Sequence, residues 1–394
     1  MAVCVWISLQ SNRMQNTKIT PFTRSTLNGF SLVELMISMV LGLLLVGGMF
    51  TIFIGNQRSA ALNAELVNMQ EGMRFALNAM ADDVRMAGYQ GCLDLNGGTV
   101  DIIANDSPSP DLTATAISGA VIQNNMSWLP SPQLGTGTNQ FTPPTSITPR
   151  AGTHTLAVQF AQPPDSGLSG PQVLAGDVNA EGPLELERAI SVGVGDLVLV
   201  STCEAGELFT ATQVSSPSTG GMTIGHDESA NIQARFNTTY GLVTNIDQTR
   251  VMPFTTSIYY VAATGEDRSD GSPLFALYQQ TMPFDETDNP PVMLVEGVEN
   301  MKILFGIGSN NGGLRYVNAE SAAYDPSRIR SVRIGLLMSS YDPLLDNVDS
   351  SSYQLAGESV TRSSTSSAAE FYADDRRLRL AFNTTVSVRN RRAQ

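Results

Sequence analysis

The sequence predicts an α+β protein: one long N-terminal α-helix, followed by a large β-rich region on which the second half of that helix packs. Three observations predict it. Residues 35–55 (LMISMVLGLLLVGGMFTIFIG) run for 21 positions without a charge. No proline interrupts residues 30–89, and apolar residues continue at intervals of three or four after the uncharged run ends. Beyond residue 91 the chain changes to short alternating apolar segments separated by Ser, Thr, Gly, Pro and Asn.

The bulk numbers fit that class. The 394 residues are 42% hydrophobic and 15% charged, enough apolar material for a sizeable buried core. The net charge is −14, yet Arg13, Lys18 and Arg24 precede Gly29 with no acid among them. An acidic body argues against a general affinity for nucleic acid, whose phosphates reward clustered Lys and Arg, so no direct nucleic-acid binding is expected. It argues equally against docking by charge on an anionic lipid surface. The asymmetry reads better as topology.

The uncharged run covers the roughly 30 Å hydrocarbon core of a bilayer at about 1.5 Å rise per residue. The basic residues before it predict an N-terminus that stays in the cytoplasm while the remainder crosses. A cleaved secretory signal fits poorly, because the run is long and no small-residue cleavage site closes it at Gly55-Asn56-Gln57. A plain signal anchor competes on length alone, and the junction before the run weighs against it: Gly29-Phe30-Ser31-Leu32-Val33-Glu34-Leu35-Met36.

That junction resembles the type IV pilin and pseudopilin family. Gly29 matches the last leader residue, Phe30 the first mature residue, and Glu34 the acid four positions on. The resemblance implies that a membrane prepilin peptidase cuts between Gly29 and Phe30 and N-methylates Phe30, making this chain a substrate and not a catalyst. Physical chemistry points the same way for Glu34. A carboxylate one turn inside an apolar helix is costly unless paired. Its natural partner is the α-amino group that cleavage creates at Phe30, on a neighbouring subunit, although a Glu here also has the option of reaching the headgroups. Residues 1–29 form the basic leader, and Met14 is an alternative start that keeps Lys18 and Arg24.

Past the membrane the helix continues as an amphipathic segment, residues 56–88. Leu62, Leu66, Met69, Met73, Leu77, Met80 and Val84 predict one apolar stripe, with Arg58, Glu65, Glu71, Arg74, Asp82 and Arg85 mostly elsewhere. The glycines of Gly88-Tyr89-Gln90-Gly91 predict its end. Many relatives carry a mid-helix proline; this chain has Gly42, Gly47 and Gly48 instead.

Residues 89–394 predict the β-rich head. Alternation marks strands at 155–160, 332–338 and 378–388, the last with Arg377, Arg379 and Arg389 on its other face, and 197–200 reads as a buried strand. Residues 257–263 and 273–279 predict a hairpin with a long polar tip at 264–272. Residues 104–150 and 349–369 read as loops. GYQGC (88–92), LVEGVENMKILFGI (294–307), SVRIGLLM (331–338) and DRRLRLAFNTTVSVRNR (375–391) look like PilW-type minor pilins. The large head implies a minor subunit at or near a filament tip, not a major pilin.

Of three cysteines, Cys4 lies in the leader. Cys92 and Cys203 form an even pair in an oxidising compartment and predict a disulfide, worth up to about 4.7 kcal/mol on the chain-entropy model. No catalytic or metal constellation emerges, and no cofactor is expected. His154 and His226 lack neighbours with metal-ligand spacing, and His154 reads as structural or surface. Asp342, Asp346 and Asp349, or Asp285, Glu286 and Asp288, read as solvated turn acids and not as a Ca²⁺ loop. The leading reading is a minor pilin, not an enzyme, that primes type IV pilus assembly in motility, adhesion or DNA uptake. Its partners are prepilin peptidase, other minor pilins, the major pilin, the assembly platform and a tip adhesin. It sits in the bacterial inner membrane, head periplasmic, and then in the pilus. The alternatives are a large minor pseudopilin of a type II secretion system and, less favoured, a membrane-anchored periplasmic enzyme.

Overall fold

The computed structural model describes residues 29–93, 99–105, 112, 115–132, 141, 143–162, 174–175, 178, 180–216, 220–238, 240, 249–284, 286–287, 289–309, 312–363 and 371–390. The leader with Arg13, Lys18, Arg24 and Cys4, the alternative start at Met14, and Asp285 and Asp288 lie outside the described residues. The chain divides into two compact units, residues 1–59 and 60–394.

The elements, in chain order, begin with α1 (Leu32–Met86), β1 (Thr99–Ile102), β2 (Ile117–Ser118), β3 (Val121–Ile122), β4 (Trp128–Leu129), β5 (Thr148–Pro149) and β6 (Leu156–Ala161). Next come β7 (Leu184–Leu186), β8 (Leu197–Ser201), β9 (Ala205–Thr210), β10 (Gln213–Ser215), β11 (Met222–Gly225), β12 (Arg250–Asp267) and β13 (Pro273–Thr281). The last elements are β14 (Val292–Glu296), β15 (Val298–Gly308), β16 (Leu314–Val317), β17 (Ile329–Ser339), β18 (Tyr353–Leu355), β19 (Glu358–Ser363), β20 (Phe371–Ala373) and β21 (Arg379–Ser387).

One helix and a β-rich head make this α+β, as the periodicities predict. The larger sheet follows the order β1-β9-β8-β12-β13-β14, with β6 and β5 also paired to β12. The long strand β12 links its parts: residues 250–253 pair with β8 and residues 254–259 with β6. A second sheet, β16-β15-β17-β21, is antiparallel throughout.

Between these sheets lies the main core. Met69, Met73, Ala76, Met80 and Val84 of α1 are fully buried with Val158, Tyr259 and Leu277 of the first sheet and Ile303, Val332, Ile334 and Leu336 of the second. Burying each such side chain is worth about 1.5–3 kcal/mol. Of the predicted stripe, Met69, Met73, Met80 and Val84 are buried and Leu77 is partly so, joined by Ala76 and Ala81, while Leu62 and Leu66 are only half-buried.

Strand β6 forms where the alternation predicts it and is buried on both faces, Gln159 included. Several expectations need correcting. The hairpin tip is shorter than expected, because β12 continues through Asp267 past an irregularity after Ala263. The stretch 104–150 contains β2 to β5, and 349–369 contains β18 and β19.

Candidate assembly site

In the first unit, Gly29, Phe30 and Ser31 lead directly into α1, whose first turn carries Glu34. The Leu35 amide donates to the Ser31 carbonyl at 3.1 Å, and Ser38 Oγ donates to the Glu34 carbonyl at 2.7 Å. Ser31-Leu32-Val33-Glu34 has the S-x-x-E spacing of a capping box, a helix-start signature the sequence reading passed over. Phe30 is 82% exposed, and the large apolar side chains from Leu32 to Ile54 are exposed as well. Among the described residues α1 is the one helix long and apolar enough to cross a membrane.

In the second unit, polar contacts fix the helix on its sheets. Tyr259 Oη donates to the Asp83 carboxylate at 2.6 Å and accepts from Gln279 Nε2 at 3.0 Å. Burial pushes Asp83 above the ordinary carboxylate range, with the Tyr259 hydrogen bond opposing and Asp82 adding to the rise. A carboxylate raised on folding contributes stability at low pH that is lost as pH rises through its folded value. Asp83→Asn, which still accepts from Tyr259, is thus expected to hold or raise the denaturation midpoint at pH 7. Tyr259→Phe, which removes the donor to a half-buried carboxylate, is expected to lower stability by about 1 kcal/mol. Urea melts of both variants check this pair.

The helix ends where the glycines predict. Gly88 adopts φ +74°, and its amide donates to the Gln159 carbonyl at 2.9 Å. A Cβ at Gly88 would lie 2.7 Å from the Asn390 carbonyl oxygen. Asn390 Nδ2 in turn donates to the Arg85 and Met86 carbonyls, both at 3.3 Å, so residues next to the chain's end cap its helix. Five residues past Ala87, Cys92 is bonded to Cys203 in the turn after β8, with 4.7 Å between the Cα atoms. The pairing is the one the sequence predicts, and it closes a loop of 111 residues. Replacing both cysteines by serine is expected to cost about 2–5 kcal/mol, read as a lower thermal midpoint.

The other face of the last strand holds a buried ionic cluster. Arg377 and Arg379 are only 1% and 3% exposed. Arg379 Nε donates to Glu299 at 2.5 Å, and its Nη1 and Nη2 reach Asp375 at 2.8 and 2.9 Å. Its guanidinium also lies 4.4 Å from the Tyr372 ring centroid and 3.6 Å from Asp349. Arg377 pairs with Asp270 at 2.5 Å and Asp375 at 2.9 Å. Carboxylates from four separate parts of the chain cover these arginines, which is why strand periodicity could not show it. Burial raises Asp375, but hydrogen bonds and charge from Arg379 and Arg377 outweigh it and hold the carboxyl below its usual range. Asp270 is held low chiefly by the Ser272 hydroxyl and then by Arg377. Depressed carboxylates contribute stability above the unfolded value and lose it as pH falls, so the midpoint is expected to drop below about pH 4.

The other singled-out groups have structural partners. His154 is buried; burial and the nearby Lys302 push its pKa down to about 3, and the Ile303 amide donates to its Nδ1 at 3.0 Å. It is structural, as one of the two expectations had it. Asp349 is buried and accepts from the Ser351 amide and the Tyr353 hydroxyl, so it is not a solvated turn acid. Glu286 accepts from the Thr145 and Ser146 amides at 2.6 and 2.8 Å.

Residues 25–50 match the family model described as the prokaryotic N-terminal methylation motif, and residues 258–390 match that of type IV pilus-assembly protein W. The second match runs from the middle of β12 through β21, strands that line both sides of the helix-binding core and carry Arg377, Arg379 and their carboxylate partners. Comparison with curated proteins and with solved structures gave no match. Pilin-family regions of this kind point to a structural, non-enzymatic role. The methylation motif near its start and the pilus-assembly W region of its head together support a PilW-like type IV minor pilin.

Proposed function

We propose that this chain is processed by prepilin peptidase between Gly29 and Phe30, methylated on the Phe30 amine, and built into the type IV pilus near its tip, where it primes assembly. Residues 30–55 serve first as a single membrane span and then as filament core. Residues 56–88 couple that span to the head of residues 89–394. The N-terminus faces the cytoplasm and the head the periplasm until extraction.

The observation that carries this reading is the placing of one carboxylate, Glu34, one turn from Phe30 at the start of a helix otherwise apolar through residue 55. Among lipids such a group is costly, and a new α-amino group four residues away on a neighbouring subunit is its complement. The pair is satisfied only on assembly, so it sets axial register between subunits. The other minor pilins, the major pilin and the assembly platform are the partners this implies. No catalytic role is assigned to the chain.

Co-expression with a prepilin peptidase tests the reading. The expected product is shortened by the leader and begins at Phe30. A full-length product under conditions that process a control pilin would leave only a membrane anchor.

A further inference from the structure

Residues 301–319, 326–341 and 376–394 hold eleven of the chain's 23 basic residues and none of its 37 acidic ones. Their described residues cover most of the sheet β16-β15-β17-β21, whose one acid, Glu299 of β15, is buried against Arg379, while Lys302, Arg377 and Arg379 are themselves buried in ion pairs. One face of that sheet packs toward α1 through Val332, Ile334, Leu336 and Met338. The opposite face is divided. Near Gly335 it is covered by the chain itself, where Leu355, Val360 and Tyr372 pack on Leu337. Toward the other end, Thr385 and Ser387 of β21, on the same face as Arg333, are exposed.

That exposed end gathers arginines. The Arg333 guanidinium stacks on Tyr316, 3.7 Å from the ring centroid, and among the described residues it makes no hydrogen bond or ion pair. Tyr316 is itself fixed by a 2.9 Å hydrogen bond between its hydroxyl and Ser331. Arg328 and Arg330 flank a crevice of about 210 Å³ beside Gly308, Ser309, Gly312 and Gly313. Arg389 is exposed after β21, and Leu314, on the same face of β16 as Tyr316, is 50% exposed.

We propose that this face docks an acidic, carboxylate-bearing surface of another pilus subunit, with Arg330 and Arg333 as its central contacts; the proposal rests on the assembly reading. A guanidinium held flat on an aromatic ring keeps its hydrogen-bonding edge oriented, which favours bidentate carboxylate pairing. Arg and Tyr beside an exposed Leu is also the composition of energetically dominant protein contacts. Nucleic acid fits less well. The one aromatic face available for base stacking is occupied by Arg333, and a chain of net charge −14 repels a uniform polyanion beyond the patch.

The test uses the full-length chain in detergent, co-purified with the major and minor pilins of the same cell. R330E/R333E is expected to reduce recovery of one partner at least tenfold, and R330Q/R333Q less. The distant R188E/R235E, equal in charge change, should have no effect, and raised salt should weaken the wild-type complex. Matching thermal midpoints show that the variants fold. Undiminished recovery with R330E/R333E overturns the docking face while leaving the assembly reading intact. Failure of the wild-type chain to recover any pilin overturns the assembly reading itself. Concentration-dependent self-association, or DNA binding at physiological salt, that R330E/R333E abolishes would reassign the face and overturn this partner.

Discussion

Arg379→Met is expected to destabilise the head by about 3–5 kcal/mol, the largest effect of any single substitution in the ionic cluster. The reason is what the change leaves behind. Glu299 is 4% exposed, and Asp375 and Asp349 converge on the same guanidinium, so methionine would strand carboxylates away from water. Buried unpaired charge is far more costly than a buried pair is stabilising. The companion variant Arg379→Met/Glu299→Gln is therefore expected to recover part of the loss. Urea denaturation of the wild type and both variants measures it. A loss under about 1 kcal/mol for Arg379→Met would mean that the cluster is solvated and the sheet end open.

Glu34→Ala is expected to leave cleavage at Gly29 intact while reducing the chain's presence in sheared filaments by at least tenfold. The two steps depend on different atoms. The peptidase needs access to the Gly29-Phe30 bond, and Glu34 lies a turn beyond it. Assembly needs a carboxylate to meet the new amine in an apolar surround, where losing one partner of a close charge pair costs about 2–5 kcal/mol. Glu34→Gln keeps the shape without the charge and is expected to fail nearly as badly. Immunoblots of membrane and sheared fractions decide it. Normal incorporation of Glu34→Ala would remove the docking role.

The long helix and its packed stripe were legible because they are local. An uncharged run, a 3.6-residue period and a glycine stop are properties of neighbouring residues, and α1 follows them to within two residues at its start. The Cys92–Cys203 bond was legible because only one even pairing remained beyond the leader. The ionic cluster was not, and the cause is topological. Alternation in β21 puts Arg379 opposite the apolar face but cannot say what lies over it. Its cover comes from Glu299, Asp349 and Asp375, while Asp270 covers the neighbouring Arg377, four carboxylates from separate parts of the chain. The Tyr259–Asp83 contact was hidden for the same reason, since 176 residues separate its partners. Strands β2 to β5 span two residues each, too few to show any period. The candidate site is the reverse case: Phe30 and Glu34 are neighbours in sequence, so everything that singles them out was already on the page.

Mass spectrometry of the chain recovered from sheared filaments tests the central claim most directly. The account predicts a polypeptide beginning at Phe30 and bearing one methyl group on its α-amine. A chain confined to the membrane fraction with residues 1–29 still attached would contradict it.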